Sequence, residues 1–378
     1  MRALIFKTSW YLFFVIEILK IVYPLLVSPL LVVLLILQSL SFIMSGSINR
    51  IVLLLSFSFV FLLVLSLSNG YSIEAAVEEC IRFFIIILIL LNYKNYQRYS
   101  MVFFKPIILI AVISNFIFLN SVLFQNTVTE FFPAKIKDGG SIVNGGLFSL
   151  TSAFLNMCCL IILKDTKGFV KLLSYLYFAI NTFSSVSFKI IPYLAMTMFS
   201  YGRIYFVIAT TCLIGLIIYL SEFIFKYWFI LLEKINFYIL IGNSARFEGY
   251  RVLKEEFENV IFIGYGLGSF GGPSSIKYDS PYYEAFRFNW FYTTNMNTID
   301  TFYPHLFIEL GLFGGIVYLS LIIYIFLKSC KVYLWSFFIL AFLIFDSFFS
   351  FGLKNSLYIQ IALTTTCYLQ HKNRSHQK

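Results

Sequence analysis

Within the stretch TIDTFYPHLFIELGLFGGI, residues 298–316, an acid, an imidazole and a second acid (Asp300, His305, Glu309) lead into an apolar run that ends near Phe326. Ionisable groups at the mouth of a membrane span are costly and are a mark of function. An imidazole beside a carboxylate can take up a proton or polarise a hydroxyl. The same residues also admit a purely helical reading. Asp300 would then cap an N-terminus, Pro304 would sit in the first turn, and Glu309 would pair with His305 at i,i+4. His305 is the only histidine outside the C-terminal tail, and no cysteine stands near it in sequence. Zinc takes three or four His, Cys or carboxylate ligands, so no metal site is expected here.

Two neighbouring stretches add further groups. SARFEGYRVLKEEFENVIF (244–262) reads as an amphipathic helix with Arg246 and Arg251 near its start. Guanidinium forks suit phosphate or pyrophosphate oxygens, but they also pair readily with helix neighbours such as Glu248, Glu255 or Glu256. GYGLGSFGG (264–272) contains a formal GxGxxG at Gly266, Gly268 and Gly271. A dinucleotide site needs a βαβ unit around that motif, and the following PSSIKYDSPYYEAF does not read as a crossover helix. The glycines fit tight turns and close backbone approach instead. Aromatic residues crowd the same loop, as interfacial anchors or as faces on which sugar rings stack.

The elements that must position these groups are membrane helices. The chain has 378 residues, 60% hydrophobic and 12% charged, against about 25% charged in an ordinary soluble domain. Apolar runs fall at approximately 8–23, 26–44, 51–68, 79–92, 104–123, 143–163, 169–184, 189–201, 204–221, 303–327, 332–348 and 354–370. An all-α polytopic integral membrane protein with about twelve spans is expected. Pro24 and Pro29 favour a hairpin between the first two runs over one kinked helix. The first run lacks a small-residue cleavage site and reads as a retained span, not a signal peptide.

The formal charge of +10 does not indicate nucleic acid, because the basic residues cluster in alternate short connectors. Arg2, Lys7, Arg50, Lys94, Arg98, Lys105, Lys164, Lys167, Lys171, Arg203, Lys328, Lys331 and the tail HKNRSHQK form that set. The positive-inside rule puts them, and both termini, in the cytoplasm. Residues 1–221 then form an N-terminal group of spans, 222–302 one large extracytoplasmic loop, 303–370 a C-terminal group of spans, and 371–378 a basic tail. A shorter external segment, 124–141, carries Lys135 and Lys137. Residues 221–241 alternate apolar and charged positions, as in a helix lying in the interface. Four of the six cysteines (Cys158, Cys159, Cys212, Cys367) lie in apolar runs, so no disulfide framework is expected.

The order RFxGY, GxGxG, an acid, then ELGLFG opening a span resembles the O-antigen polymerase (Wzy-type) and O-antigen ligase superfamily. The motif content lies within about residues 244–316, and KDGGSIVNGGLFSLTSAF (137–154) is a second, looser match. Nine residues before Glu309, where ligases typically carry histidine, this chain has Asp300; that favours polymerase. The resemblance implies a GT-C-like architecture in the bacterial inner membrane and a glycosyltransferase acting on undecaprenyl-pyrophosphate-linked glycans, without cofactor or metal. Arg246 and Arg251, with Lys135, Lys137 or Lys189, would neutralise the leaving pyrophosphate. Asp300 or His305 would orient or deprotonate the acceptor hydroxyl, with Gly264, Gly266, Gly268 and Glu309 lining the substrate site. Membrane lipids and a chain-length regulator are the partners it implies. An O-antigen ligase and a lipid-linked oligosaccharide flippase are the rival readings. No repeat at half-length supports a transporter.

Reporter fusions near Tyr278 should be active in the extracytoplasmic sense; a cytoplasmic signal there would overturn this topology.

Overall fold

The computed structural model describes residues 1–22, 26–45, 49–123, 135–137, 141–143, 152–163, 245–288, 301–330 and 334–376, with single positions at 173–174, 229, 232 and 236. The apolar runs at 169–184, 189–201 and 204–221, the interfacial stretch 221–241, Lys189 and Asp300 lie essentially outside these described residues. Helices dominate: α1 (Arg2–Val22), α2 (Val27–Ile43), α3 (Arg50–Ser68), α4 (Ile73–Leu91), α5 (Tyr93–Leu123) and α6 (Ser152–Leu163). After them come α7 (Ala245–Glu255), the short α8 (Pro273–Lys277) and α9 (Tyr282–Ala285), α10 (Phe302–Cys330), α11 (Leu334–Asp346), a 3₁₀ turn at Gly352–Lys354, and α12 (Ser356–His376). The one β feature among the described residues is an antiparallel ribbon of β1 (Lys135–Lys137) with β2 (Ser141–Val143).

Among the described residues, three helices are long and apolar enough to cross a membrane: Arg50–Ser68, Tyr93–Phe116 and Phe302–Lys328. Shorter apolar helices cover Pro29–Ile43, Phe154–Leu163 and Ser336–Asp346. α1 and α2 are separate helices packed on each other, with Gln38 Nε2 donating to Ser9 Oγ at 3.2 Å. The hairpin expectation therefore describes the start of the chain. Helix boundaries differ from the apolar runs in an instructive way. α5 begins at Tyr93, so the polar YKNYQRYS that reads as a connector is the first two turns of a helix running through Pro106. α12 likewise continues into the basic tail as far as His376. Hydropathy marks where lipid begins, not where backbone hydrogen bonding stops.

The helix ends sort into two poles. Arg2 donates to Asn95 Oδ1 at 2.7 Å, Asn49 to the Tyr324 hydroxyl at 3.1 Å, and His371 contacts the Gln97 carbonyl. The starts of α1, α3 and α5 thus meet the ends of α10 and α12, gathering Arg50, Lys94, Arg98 and Lys328 at one basic pole. The turn between α3 and α4, the 264–288 segment, the start of α10 and the turn before α12 meet at the other. α12 sits in the middle: Leu357, Ile361, Thr364, Thr365 and Cys367 are fully buried, and it packs on α1, α4, α5, α6, α10 and α11. The stacked rings of Trp10 and Phe103, 4.3 Å apart, lie in the same core, where Trp10 also donates to Thr364.

α10 is broken at Gly311, whose φ of 75° and ψ of 168° lie in a region open only to glycine. The break frees backbone groups that an intact helix would pair with each other. Segment 260–266 takes them: Leu312 N donates to Val260 O at 2.8 Å, Tyr265 N to Ile308 O at 2.8 Å, and Gly266 N to Glu309 O at 3.1 Å. The loop is spliced into the helix.

Gly311→Ala should therefore lower stability by about 1–3 kcal/mol, read as a drop in the unfolding midpoint of the detergent-purified protein. An unchanged midpoint would mean that the splice is not essential to the fold.

Candidate functional site

The amphipathic stretch 244–262 folds as expected only in its first part. α7 ends at Glu255, and 256–263 continue as turns and bends along α10. Arg251 is anchored on its own helix and the loop behind it. Its guanidinium donates to Glu248 at 2.6 Å, to Glu255, and to the carbonyls of Phe286 (3.0 Å) and Arg287 (3.3 Å). Those acids hold its proton more firmly still. Arg251 thus acts as a brace closing the loop 245–288. Arg246, half-buried one turn earlier, lies within electrostatic reach of Tyr250, whose hydroxyl donates to Phe348 O at 3.0 Å.

The glycine-rich stretch is folded tightly onto the non-basic pole. Gly264 lies in the splice against Ile308 and Glu309, Gly266 lies against Asn69 and Gly70 of the α3–α4 turn, and Gly268 lies against Ala75 at the start of α4. A small core of Val252, Phe270, Tyr283, Phe286, Phe288 and Ile308 fixes the segment from below. Tyr265 donates to Glu256, and burial followed by that carboxylate raises the phenol to about 12. Tyr71, raised to about 12 chiefly by burial, donates to Tyr278 O at 3.2 Å and ties the α3–α4 turn to the same loop.

Beneath the glycines lies a buried ionic cluster. The Lys354 ammonium donates to Glu79 Oε2 and contacts His305 Nε2. Arg82 holds the other oxygen of Glu79 at 2.8 Å and reaches Glu78, which pairs outward with Lys277 at 2.9 Å. His305 Nδ1 is 2.7 Å from Phe270 O and 3.5 Å from Glu309 Oε1. A carbonyl only accepts, so Nδ1 carries the proton and Nε2 offers its lone pair to Lys354. Glu309 Oε1 also accepts from Phe270 N at 3.2 Å, while Oε2 makes no hydrogen bond among the described residues. Glu79, His305 and Glu309 have no exposed surface, and Lys354 is 8% exposed. Gly272 presses on this cluster so closely that a Cβ there would lie 2.6 Å from Glu79 Oε1 and 2.9 Å from His305 Cε1.

Glu79, His305 and Glu309 bring ligand atoms within 4.8 Å of one another, a spacing compatible with a cation. The chain supplies its own cation. A divalent ion would have to displace the Lys354 ammonium and leave it buried without a partner, at a cost of several kcal/mol.

The sequence therefore names two members of the cluster, His305 and Glu309, at the i,i+4 spacing of the helical alternative. Glu79, Arg82 and Lys354 complete it. Lys354 was detectable as a lone lysine in FGLKNSL between two apolar runs, and Glu79 with Arg82 as charges at a span end. Lys135 and Lys137 lie in β1. Comparisons with protein-family models, curated proteins and solved structures found no match.

Removing one partner of a buried ion pair costs about 3–5 kcal/mol. Lys354→Met should therefore destabilise the protein strongly, and Glu79→Gln combined with Lys354→Met should cost less than the two single changes added together. Additive unfolding midpoints in detergent would show that the pair is not coupled.

Proposed function

We propose that the chain polymerises undecaprenyl-pyrophosphate-linked oligosaccharide repeat units into a surface polysaccharide, by glycosyl transfer at the outer face of the inner membrane. One observation carries this reading. The GYGLG and ELGLFG stretches, separated by some forty residues in sequence, form a single spliced unit at the pole opposite the basic helix ends. A substrate whose isoprenoid tail stays in lipid would present its pyrophosphate at such a pole.

In the reaction an acceptor hydroxyl attacks the anomeric carbon of the lipid-linked glycan. The bond from that carbon to the pyrophosphate oxygen breaks, and the lipid pyrophosphate leaves with the bonding pair. Arg246 neutralises that leaving group, an electrostatic contribution that often dominates catalysis. The hydroxyl proton goes to Asp300. His305 is better placed as a partner of Lys354 than as the base, because both of its ring nitrogens are engaged and no part of it is exposed. Lys135, Lys137, Lys189 and Arg251 remain secondary candidates around the pyrophosphate, Arg251 acting through the loop it braces.

Arg246→Ala and Asp300→Ala should each abolish long glycan chains without lowering protein level. Arg246→Lys should be impaired as well, since one ammonium does not reproduce a planar fork. Wild-type chain-length ladders from both alanine variants would end this assignment. A ligase differs in a deletion strain, which would lack even single-repeat caps on the core. The buried Glu79–Lys354 pair is the feature a flippase would draw on; polymerisation by purified protein in detergent excludes a pure flippase.

A further inference from the structure

The residues between α7 and the glycine-rich loop have an unusual surface. Phe257, Ile261, Phe262 and Ile263 are all exposed, Phe262 to 78%. An exposed cluster of large apolar side chains on a soluble loop would be an aggregation liability or a docking surface. Only Val260 points inward, and it is fully buried. The backbone beneath is fixed, because Phe262 O and Gly264 N lie against Gly311 and Val260 O accepts from Leu312.

The position of Gly311 along α10 gives the depth. Lys328 lies at the basic pole, and 17 residues at 1.5 Å rise place Gly311 about 26 Å away, against a hydrocarbon core of about 30 Å. Gly311 therefore lies close to the far edge of the acyl-chain region. Phe313, Ile316 and Leu327 are exposed along one flank of α10 between these points, Phe313 to 56%. With exposed Ser320 they stand three, four and seven residues apart, which puts them on one helix face, with half-buried Ile323 and Tyr324 filling the last interval. The exposed residues 262 and 263 lie with their backbone against Gly311, two residues before Phe313. Above them the chain turns polar at once, with Asn259 donating to Glu256 at 2.7 Å and Glu258 exposed.

We propose that residues Ile261–Ile263, with Phe257 beside them, form a wedge seated among the acyl chains at the headgroup boundary of the non-basic leaflet. Bilayer lipid is the occupant of this surface. The loop is thereby held at the membrane edge by two devices, the splice into α10 and the side chains sunk beside it. The buried cluster lies directly behind the splice, since Glu309 O accepts from Gly266 N. The inference does not depend on the reaction the protein performs.

The test is spin-label accessibility in lipid nanodiscs, on full-length protein whose native cysteines are replaced by serine. Single labels at Phe262→Cys, Glu258→Cys and Phe313→Cys are compared for collision with oxygen, which enters lipid, and with a water-soluble nickel chelate. Position 262 should match 313, with an oxygen-to-nickel ratio several-fold above that at 258. A nickel-accessible 262 would place the segment in water. A position closed to both reagents would mean that protein covers it, from this chain or a second copy. Either result overturns the proposal. Phe257→Cys serves as the second lipid-side reporter if the label at 262 disturbs the splice.

Discussion

A lysine ammonium buried between a carboxylate and an imidazole organises the non-basic pole. Lys354 comes from the turn before α12, Glu79 from α4 and His305 from α10, so three elements distant in sequence share one charge. Separating any of them would strand an ion in a low-dielectric setting, where an unpaired charge is far more costly than in water. The α3–α4 turn and the 264–272 loop lie on top of this cluster. Gly272 is admitted only because it lacks a side chain. The pair thus fixes both the helices and the lid that seals them.

The second constraint is the break in α10. An uninterrupted helix offers no free backbone groups at mid-length, and a loop can lie against it only through side chains. At Gly311 the helix gives up bonds of its own, and the loop supplies partners to Ile308 O, Glu309 O and Leu312 N in their place. Irregular backbone is tolerated near the membrane only where it is enclosed in this way. Gly264 allows the approach to α10, Gly266 allows the same chain to meet the α3–α4 turn, and Arg251 holds the returning chain from the far side.

How much of this was legible in the sequence follows from how far each signal reaches. Helical periodicity and hydropathy are local, and α3, α10 and α11 follow the apolar runs closely. The helical start of α5 and the end of α12 escaped because polar residues continue a helix as readily as apolar ones once it leaves the lipid. The i,i+4 pair His305–Glu309 was legible because both residues share one helix face. Lys354 as the partner of Glu79 was not, because no local rule links positions 275 residues apart. The glycine-rich stretch was read correctly as close-approach backbone, but its docking surface, the kink at Gly311, depends on φ and ψ. The ELGLFG spelling alone does not show them.

The central place of α12 has a consequence for biogenesis. Glu79 is synthesised long before Lys354, and at roughly 5–20 residues per second the delay is about 14–55 s. During that interval Arg82, one helical turn away on α4, is the only cation of this cluster already made. The bundle therefore cannot close around this pair until residue 354 has been made, and until then the Arg82 guanidinium on the same helix is the cation within reach of Glu79.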